Sequence, residues 1–500
     1  MSAENDFLIR IREYYRFNAI QSHLSWDQQT IMPAKGASSR ADILSWLAGE
    51  AHKRLIDPEL DNLVSELESK IENLDPDLAC NVIRMRREIE QATLLPAELI
   101  EEMAKLSSES RIIWAQAREE SNYSKFAPML EKIIEITKQK MRYLGGENAS
   151  YDVLLDEYEM GMKMSDYDPL FAGLRARLIP LLNRIMEARA NEEQIQIPEG
   201  MEFPIPSQEK FCKEVASKMG FDFEAGRLDI TTHPFCSGLW AGDTRITTRY
   251  DVLDPFSCLY AVMHEAGHGL YEQGLPNEHQ LSPRGLAISL GVHESQSRLW
   301  ENQIGRTTEF WQVMLGAFRK HFPEFPENFG PDELNRIANS VEPSFIRVEA
   351  DEITYNMHVM LRYEIEKQIF EEDLPVEKIP EVWNSLFEEW FGIKVTEDRL
   401  GCLQDVHWSM GAFGYFPTYT LGNMYAAQLL KSMKEEIGDI DSIINSGDWS
   451  EILAWLRKHI HDKGSMHTPY DLITIATGSE PSPEPFLEYL EEKYGKLYLL

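Results

Sequence analysis

The stretch VMHEAGHGLYEQG, residues 262–274, decides how the rest of the chain is read. On an α-helix, His264 and His268 stand one turn apart on one face and can aim both imidazoles at one ion. Glu265 is rotated by about 100° and can address a water on that ion instead of binding it. Two histidines alone do not hold a catalytic metal, so a third ligand has to come from elsewhere. Glu272 shares the face of His264, but eight residues along a helix is about 12 Å, too far for one ion to bridge. His279 suits an extended site only with Gly at 271 and His at 274, where the chain has Tyr271 and Gly274. Glu294, in the second helical stretch LGVHESQSRLWEN (290–302), is the remaining candidate. The Gly- and Pro-bearing loop GLPNEHQLSPRG (274–285) lets the two helices return antiparallel and can bring that carboxylate to the metal.

Two His and a downstream Glu make a gluzincin-type set with a fourth position open for water. Zn2+, one per chain, is the preferred ion, and Co2+ or Mn2+ can substitute because geometry more than affinity decides occupancy. With Glu265 accepting the proton of an activated water and later delivering it to the leaving amine, the set predicts amide hydrolysis without a covalent intermediate. No G-x-S-x-G run occurs, and none of the cysteines lies in a Cys/His nucleophile setting.

Outward from this stretch the chain reads as mostly α-helical. PAELIEEMAKLSSESRIIWAQAREE (96–120) and SNYSKFAPMLEKIIEITKQKMRYLGG (121–146) space their apolar residues by three and four; the first opens on Pro and the second closes on a Gly pair. The Pro-containing segment 194–210 reads as a linker, and RLDITTHPF and TRITTRY, after Gly226, have the period-two, β-branched character of a small sheet. Helical spacing resumes at 255. These features suggest one domain over 1–500 with three parts: an N-terminal helical region (1–195), a linker with a small β element (196–252), and a helical region with the metal site (253–500).

The formal net charge of −34 argues against nucleic acid or an anionic membrane as a partner, since both need a cationic face. No apolar run reaches about 18 residues and no signal peptide is visible. The five scattered cysteines read as reduced thiols, so a cytoplasmic protein is expected.

HPF (233–235), DTRIT (243–247), HEAGH (264–268), HESQ (293–296), IRVEAD (346–351) and GCLQDVHW (401–408) occur in that order. Together with LSWDQQTIMP (24–33) and FGYFPTYTLGN (413–423), they resemble the motif series of the carboxypeptidase Taq family of zinc metallocarboxypeptidases. The resemblance implies a two-lobed helical fold with a deep active-site groove and one small sheet, similar to neurolysin and angiotensin-converting enzymes. It also implies a homodimer that removes C-terminal residues with broad specificity, usually sparing a C-terminal Pro. On this resemblance His264, His268 and Glu294 are zinc ligands and Glu265 is the general base.

A carboxypeptidase has to bind a free α-carboxylate, which an arginine fork does with two charge-assisted bonds. Arg347 and Arg245 are the candidates. Asp351, one turn after Arg347, is expected to hold its guanidinium, and the same pair can equally be a structural ion pair. Arg245 in a strand should share its face with Asp243 and Thr247. His233, extended before Pro234, can donate to substrate. His293 is expected to support a ligand from outside the metal's coordination. Asp405 and His407 are candidate partners for a metal histidine or for substrate, and Trp408 is expected in the core. Tyr415 and Tyr419 are candidate donors to the developing oxyanion, with Tyr419 preferred. An oligopeptidase or aminopeptidase on the same metal set, and a non-catalytic helical peptide-binding scaffold, are the alternative readings.

Overall fold

The computed structural model describes residues 2–190 and 195–500; Gln194, where the expected linker begins, lies outside them. Twenty α-helices and one three-stranded sheet make up the regular structure of the described residues. The helices read from spacing are present as Ala97–Glu119 and Tyr123–Gly145. The second ends where Gly146 takes φ 82°, a conformation that costs glycine little.

Two hydrophobic cores are built. The smaller gathers Phe7 and Ile11 of the helix Ala3–Thr30, Val64 and Leu67 of Pro58–Glu68, and Val82 and Met85 of Pro76–Leu94. Leu55 of Ala37–Leu55 joins it, and the larger core takes in the remaining helices. The expected linker ends in a helix: Ile205–Met219 takes up its last part, from 205 to 210, because Pro204 sets a helix entry and Phe211, Val215 and Ala216 give it a buried face.

The sheet consists of β1 (Gly226–Ile230), β2 (Cys236–Gly238) and β3 (Thr244–Thr248), in the order β1-β3-β2. β3 runs parallel to β1 and antiparallel to β2. Ile246 is fully buried, while Arg245 lies over the Trp26 ring at 4.2 Å and so ties the sheet to the N-terminal helix.

Local sequence sets the helices that carry the site. Asp254 caps the helix Pro255–Gly274 by accepting from the Phe256 and Ser257 N–H groups, and Pro255 occupies its first turn. Ser289 caps Leu290–Arg298 and accepts from Val292 N at 3.1 Å. That helix start is also held by a fully buried carboxylate, Glu159, which accepts from Gly291 N at 2.9 Å and Ser289 Oγ at 3.0 Å. Burial pushes the Glu159 carboxyl up to about 7, and those donors pull against the rise. Two glycines let three helices meet with backbone nearly touching. A Cβ at Gly267 would lie 2.6 Å from Gln296 O, and one at Gly422, in the helix Pro417–Ile437, would lie 2.4 Å from Glu294 Cγ. The glycine in HEAGH is therefore what admits the helix bearing Glu294.

Candidate metal centre and its flanking arginines

His264, His268 and Glu294 converge: one ligand atom from each lies within 4.8 Å of the others. Both Nε2 atoms face the same carboxylate oxygen, Glu294 Oε2, at 3.5 Å from His264 and 3.4 Å from His268. Each remaining ring nitrogen is already engaged. His264 Nδ1 lies 2.9 Å from Glu301 Oε2, and His268 Nδ1 lies 2.6 Å from His293 Nδ1, whose Nε2 reaches Glu272 Oε1 at 2.8 Å. The two outer nitrogens are thus held and the two Nε2 lone pairs are left facing Glu294, which is the donor set a divalent ion takes. Glu272, too distant to be a ligand, ends this relay instead.

The electrostatics differ between the two histidines. Burial lowers His268 to about 3, so its imidazole is neutral and ready to ligate. Burial opposes charge on His264 as well, but the Glu294 and Glu301 carboxylates outweigh it and raise its pKa. Burial works against the Glu294 carboxylate, yet Arg298 and the two histidines hold it well below the usual range. Arg298 fixes Glu294 Oε1 at 2.8 Å and Glu301 Oε2 at 2.9 Å, which leaves Glu294 Oε2 toward the histidines. Glu301 reaches His264 through a π-type turn at Leu299–Ile304, a widening often found at functional sites. Glu265 is 6% exposed; burial pushes its carboxyl up to about 7, and the Glu294 charge adds to the rise. A cation at the three ligands would draw it down again.

Beside this cluster two arginines share one aspartate. Arg347 donates from Nη2 and Nε to Asp405 Oδ1 at 2.9 and 3.1 Å, and Arg362 donates from Nε to Asp405 Oδ2 at 2.6 Å. Burial opposes the Asp405 carboxylate, but the two guanidiniums hold it well below the usual range. Two positive charges against one negative leave the triad with one unit of positive charge, and Arg362 is fully buried. Arg347 also donates from Nη1 to Tyr355 OH at 3.2 Å, which leaves one N–H on each terminal nitrogen. A single ring joins the triad to the metal cluster: Tyr355 has Arg347 at 5.8 Å and Arg298 at 4.6 Å from its centroid.

This arrangement corrects two expectations. Asp351 does not hold Arg347. It caps the helix Glu352–Glu371, accepting from Ile353 N and Thr354 N at 2.9 Å, because residues 347–349 form a tight turn rather than the helix that would bring positions 347 and 351 together. Asp405 partners no metal histidine, since both its oxygens are taken by the arginines.

Tyr419 lies against Arg347, whose guanidinium carbon is 5.1 Å from its ring, and Tyr415 packs on Tyr419 at 5.4 Å. His407 packs on Tyr415 at 5.3 Å, and burial lowers it to about 4, so it is neutral. Arg245 is paired with Asp243 at 2.7 Å, as strand geometry expects, and is bound up with Trp26. His233 is exposed in the connection between β1 and β2. Trp408 is 4% exposed and donates to a buried carboxylate, Glu366, at 2.6 Å. Sequence reading missed Arg298, Glu301, Arg362 and Glu366. Arg298, four residues past Glu294, carries a helical-spacing signal; the other three carry none.

His293→Ala should weaken metal binding by about 10- to 100-fold, because the relay that orients His268 is lost. Competition against a chelator measures it; unchanged affinity would show that His268 needs no such support.

The whole chain has known relatives. Residues 6–494 match the family model described as Carboxypeptidase Taq (M32) metallopeptidase. Thermostable carboxypeptidase 1 of Thermus thermophilus is 41% identical over 488 residues, 95% of this chain and 94% of that protein. An M32 carboxypeptidase structure from Deinococcus radiodurans R1 superposes with a TM-score of 0.96 at 36% identity, covering 100% of both chains. Trypanosoma cruzi metallocarboxypeptidase 1 gives 0.95 at 35% identity, covering 99% of each. With HEAGH, HESQ, IRVEAD and GCLQDVHW folded around one cluster able to hold a metal and one arginine triad, the chain belongs to the carboxypeptidase Taq (M32) family of metallopeptidases.

Proposed function

We propose that this metallocarboxypeptidase runs on zinc held by His264, His268 and Glu294, and that it removes C-terminal residues of broad identity from peptides while disfavouring Pro. The observation that carries the reading is the shared aspartate: a buried triad with one excess positive charge, joined through the Tyr355 ring to Arg298, which holds Glu294. A peptide's terminal carboxylate neutralises that charge by meeting the two N–H groups Arg347 has left. A neutral C-terminal amide cannot.

When bound, the metal supplies a Lewis acid and lowers the pKa of water. Glu265 takes the proton of the attacking water and passes it to the leaving amine. Arg298 and Glu301 keep Glu294 and His264 oriented, and Tyr419, or Tyr415 behind it, donates to the oxygen on which charge develops. A residue that lacks an N–H, as Pro does, alters the scissile bond and its leaving group together. A homodimer acting in the cytoplasm completes the reading, supported by the family resemblance and by thiols that are all unpaired.

The direct test uses matched peptides with a free and an amidated C-terminus. The free peptide should be trimmed one residue at a time and the amide left nearly intact. Equal cleavage of both would favour an oligopeptidase or aminopeptidase and remove the carboxylate-binding role of the triad.

A further inference from the structure

Glu366 has no part in the chemistry above, yet it is fully buried beside the segment that carries the tyrosines. It lies one turn after Arg362 on the helix Glu352–Glu371. Its Oε1 accepts from Trp408 Nε1 at 2.6 Å; its Oε2 accepts from Gly414 N at 2.7 Å and from Tyr151 OH at 2.5 Å. Three donors and, among the described residues, no acceptor partner meet this side chain, which is the pattern of an ionised carboxylate. Burial pushes its carboxyl up to about 7, and the three donors pull it down.

Two of those donors lie on the run that leads into the tyrosines. Trp408 ends GCLQDVHW, and Gly414 immediately precedes Tyr415. Gly414 presents its N–H from φ 85°, and a Cβ there would lie 2.5 Å from Leu154 O, so the turn has little freedom to relocate. On the same helix Arg362 grips Asp405, so the run from Asp405 to Gly414 is fastened to one rigid element at two points a turn apart.

The geometry points to Glu366 as a positioning residue that fixes the Trp408–Gly414 segment and thereby sets where Tyr415 and Tyr419 place their hydroxyls. The inference rests on the reading that one of those tyrosines stabilises the developing oxyanion. Glu366→Gln keeps the shape but offers one acceptor oxygen to three donors, so an amide N–H must face a donor. Its kcat should fall by about 10- to 100-fold, the range for losing a hydrogen bond to a charged group, while KM and bound metal stay within about twofold.

The deciding measurement is a double-mutant cycle with Tyr419→Phe and Tyr415→Phe. In the background of whichever tyrosine variant is impaired, Glu366→Gln should cost little more. Trp408→Phe should partly restore Glu366→Gln by deleting the donor that the amide nitrogen cannot accept. A wild-type kcat for Glu366→Gln, or a loss that multiplies fully with the tyrosine variant, would overturn the positioning role while the tyrosine reading stands. Unimpaired Tyr415→Phe and Tyr419→Phe would sink the tyrosine reading and this inference with it. Should Glu366→Gln not fold, Trp408→Phe alone takes its place in the cycle, and full multiplicativity there overturns the inference equally.

Discussion

Glu265→Gln should retain its full complement of metal and lose activity by about 10²- to 10⁴-fold in kcat, the range spanned by a positioned general base. The atoms placed to hold the metal belong to His264, His268 and Glu294, and their orienting partners are Glu301, His293 and Arg298. None of these contacts uses Glu265, so an isosteric amide leaves the cluster in place. What it removes is the proton acceptor. Metal analysis beside steady-state kinetics reads both halves, and a variant that loses its metal would show that Glu265 is a ligand and that the assignment of Glu294 is mistaken.

Arg347→Ala should lower kcat/KM for peptides with a free C-terminus by on the order of 10²- to 10³-fold, within the about 2–5 kcal/mol expected for truncating one partner of a buried charged pair. Any residual cleavage of C-terminal amides should change far less. The shared aspartate sharpens this expectation. Without Arg347, Asp405 keeps Arg362 at 2.6 Å, so the pair that remains is neutral and buried rather than an orphaned charge. The protein should therefore stay folded while its attraction for an anion disappears. Arg347→Lys is a useful companion: it keeps the charge and loses the fork, so a partial loss would separate charge from geometry. Equal losses on free and amidated substrates would instead make Arg347 a structural residue.

Much of this molecule is legible in one dimension because its signals are local. The helices at Ala97–Glu119 and Tyr123–Gly145 follow from apolar spacing and a Gly stop, and the start of the HEAGH helix follows from Asp254-Pro255. Glu294 could be found because distance along a helix excluded Glu272, and a turn-rich loop then allowed an antiparallel return. The failures are pairings between distant residues. Asp351 was the nearer acid to Arg347 in sequence, but the tight turn at 347–349 breaks the helical spacing on which that pairing depended, and Asp405, 58 residues away, takes its place. Arg362 and Glu366 stand on a helix buried on nearly every side, where charge reads as an anomaly until its partners are seen. Glu301 needs the wider π-type turn to reach His264, and no residue pattern announces that turn.

The excess charge of the arginine triad sits inside a chain whose formal net charge is −34. At a distance an incoming carboxylate meets repulsion, and attraction takes over only within the last few ångströms, where the surrounding field no longer dominates. Salt should therefore help this enzyme find acidic substrates. Raising ionic strength from about 10 to about 150 mM shrinks the screening length from about 30 to about 8 Å, so kcat/KM for acidic peptides should rise while that for peptides carrying a net positive charge falls. A decline for both would mean that the local cation outreaches its acidic surroundings. The far field acts as a sorting gate, favouring basic peptides in dilute salt and relaxing that preference as salt is added, with no change in any residue that touches the scissile bond.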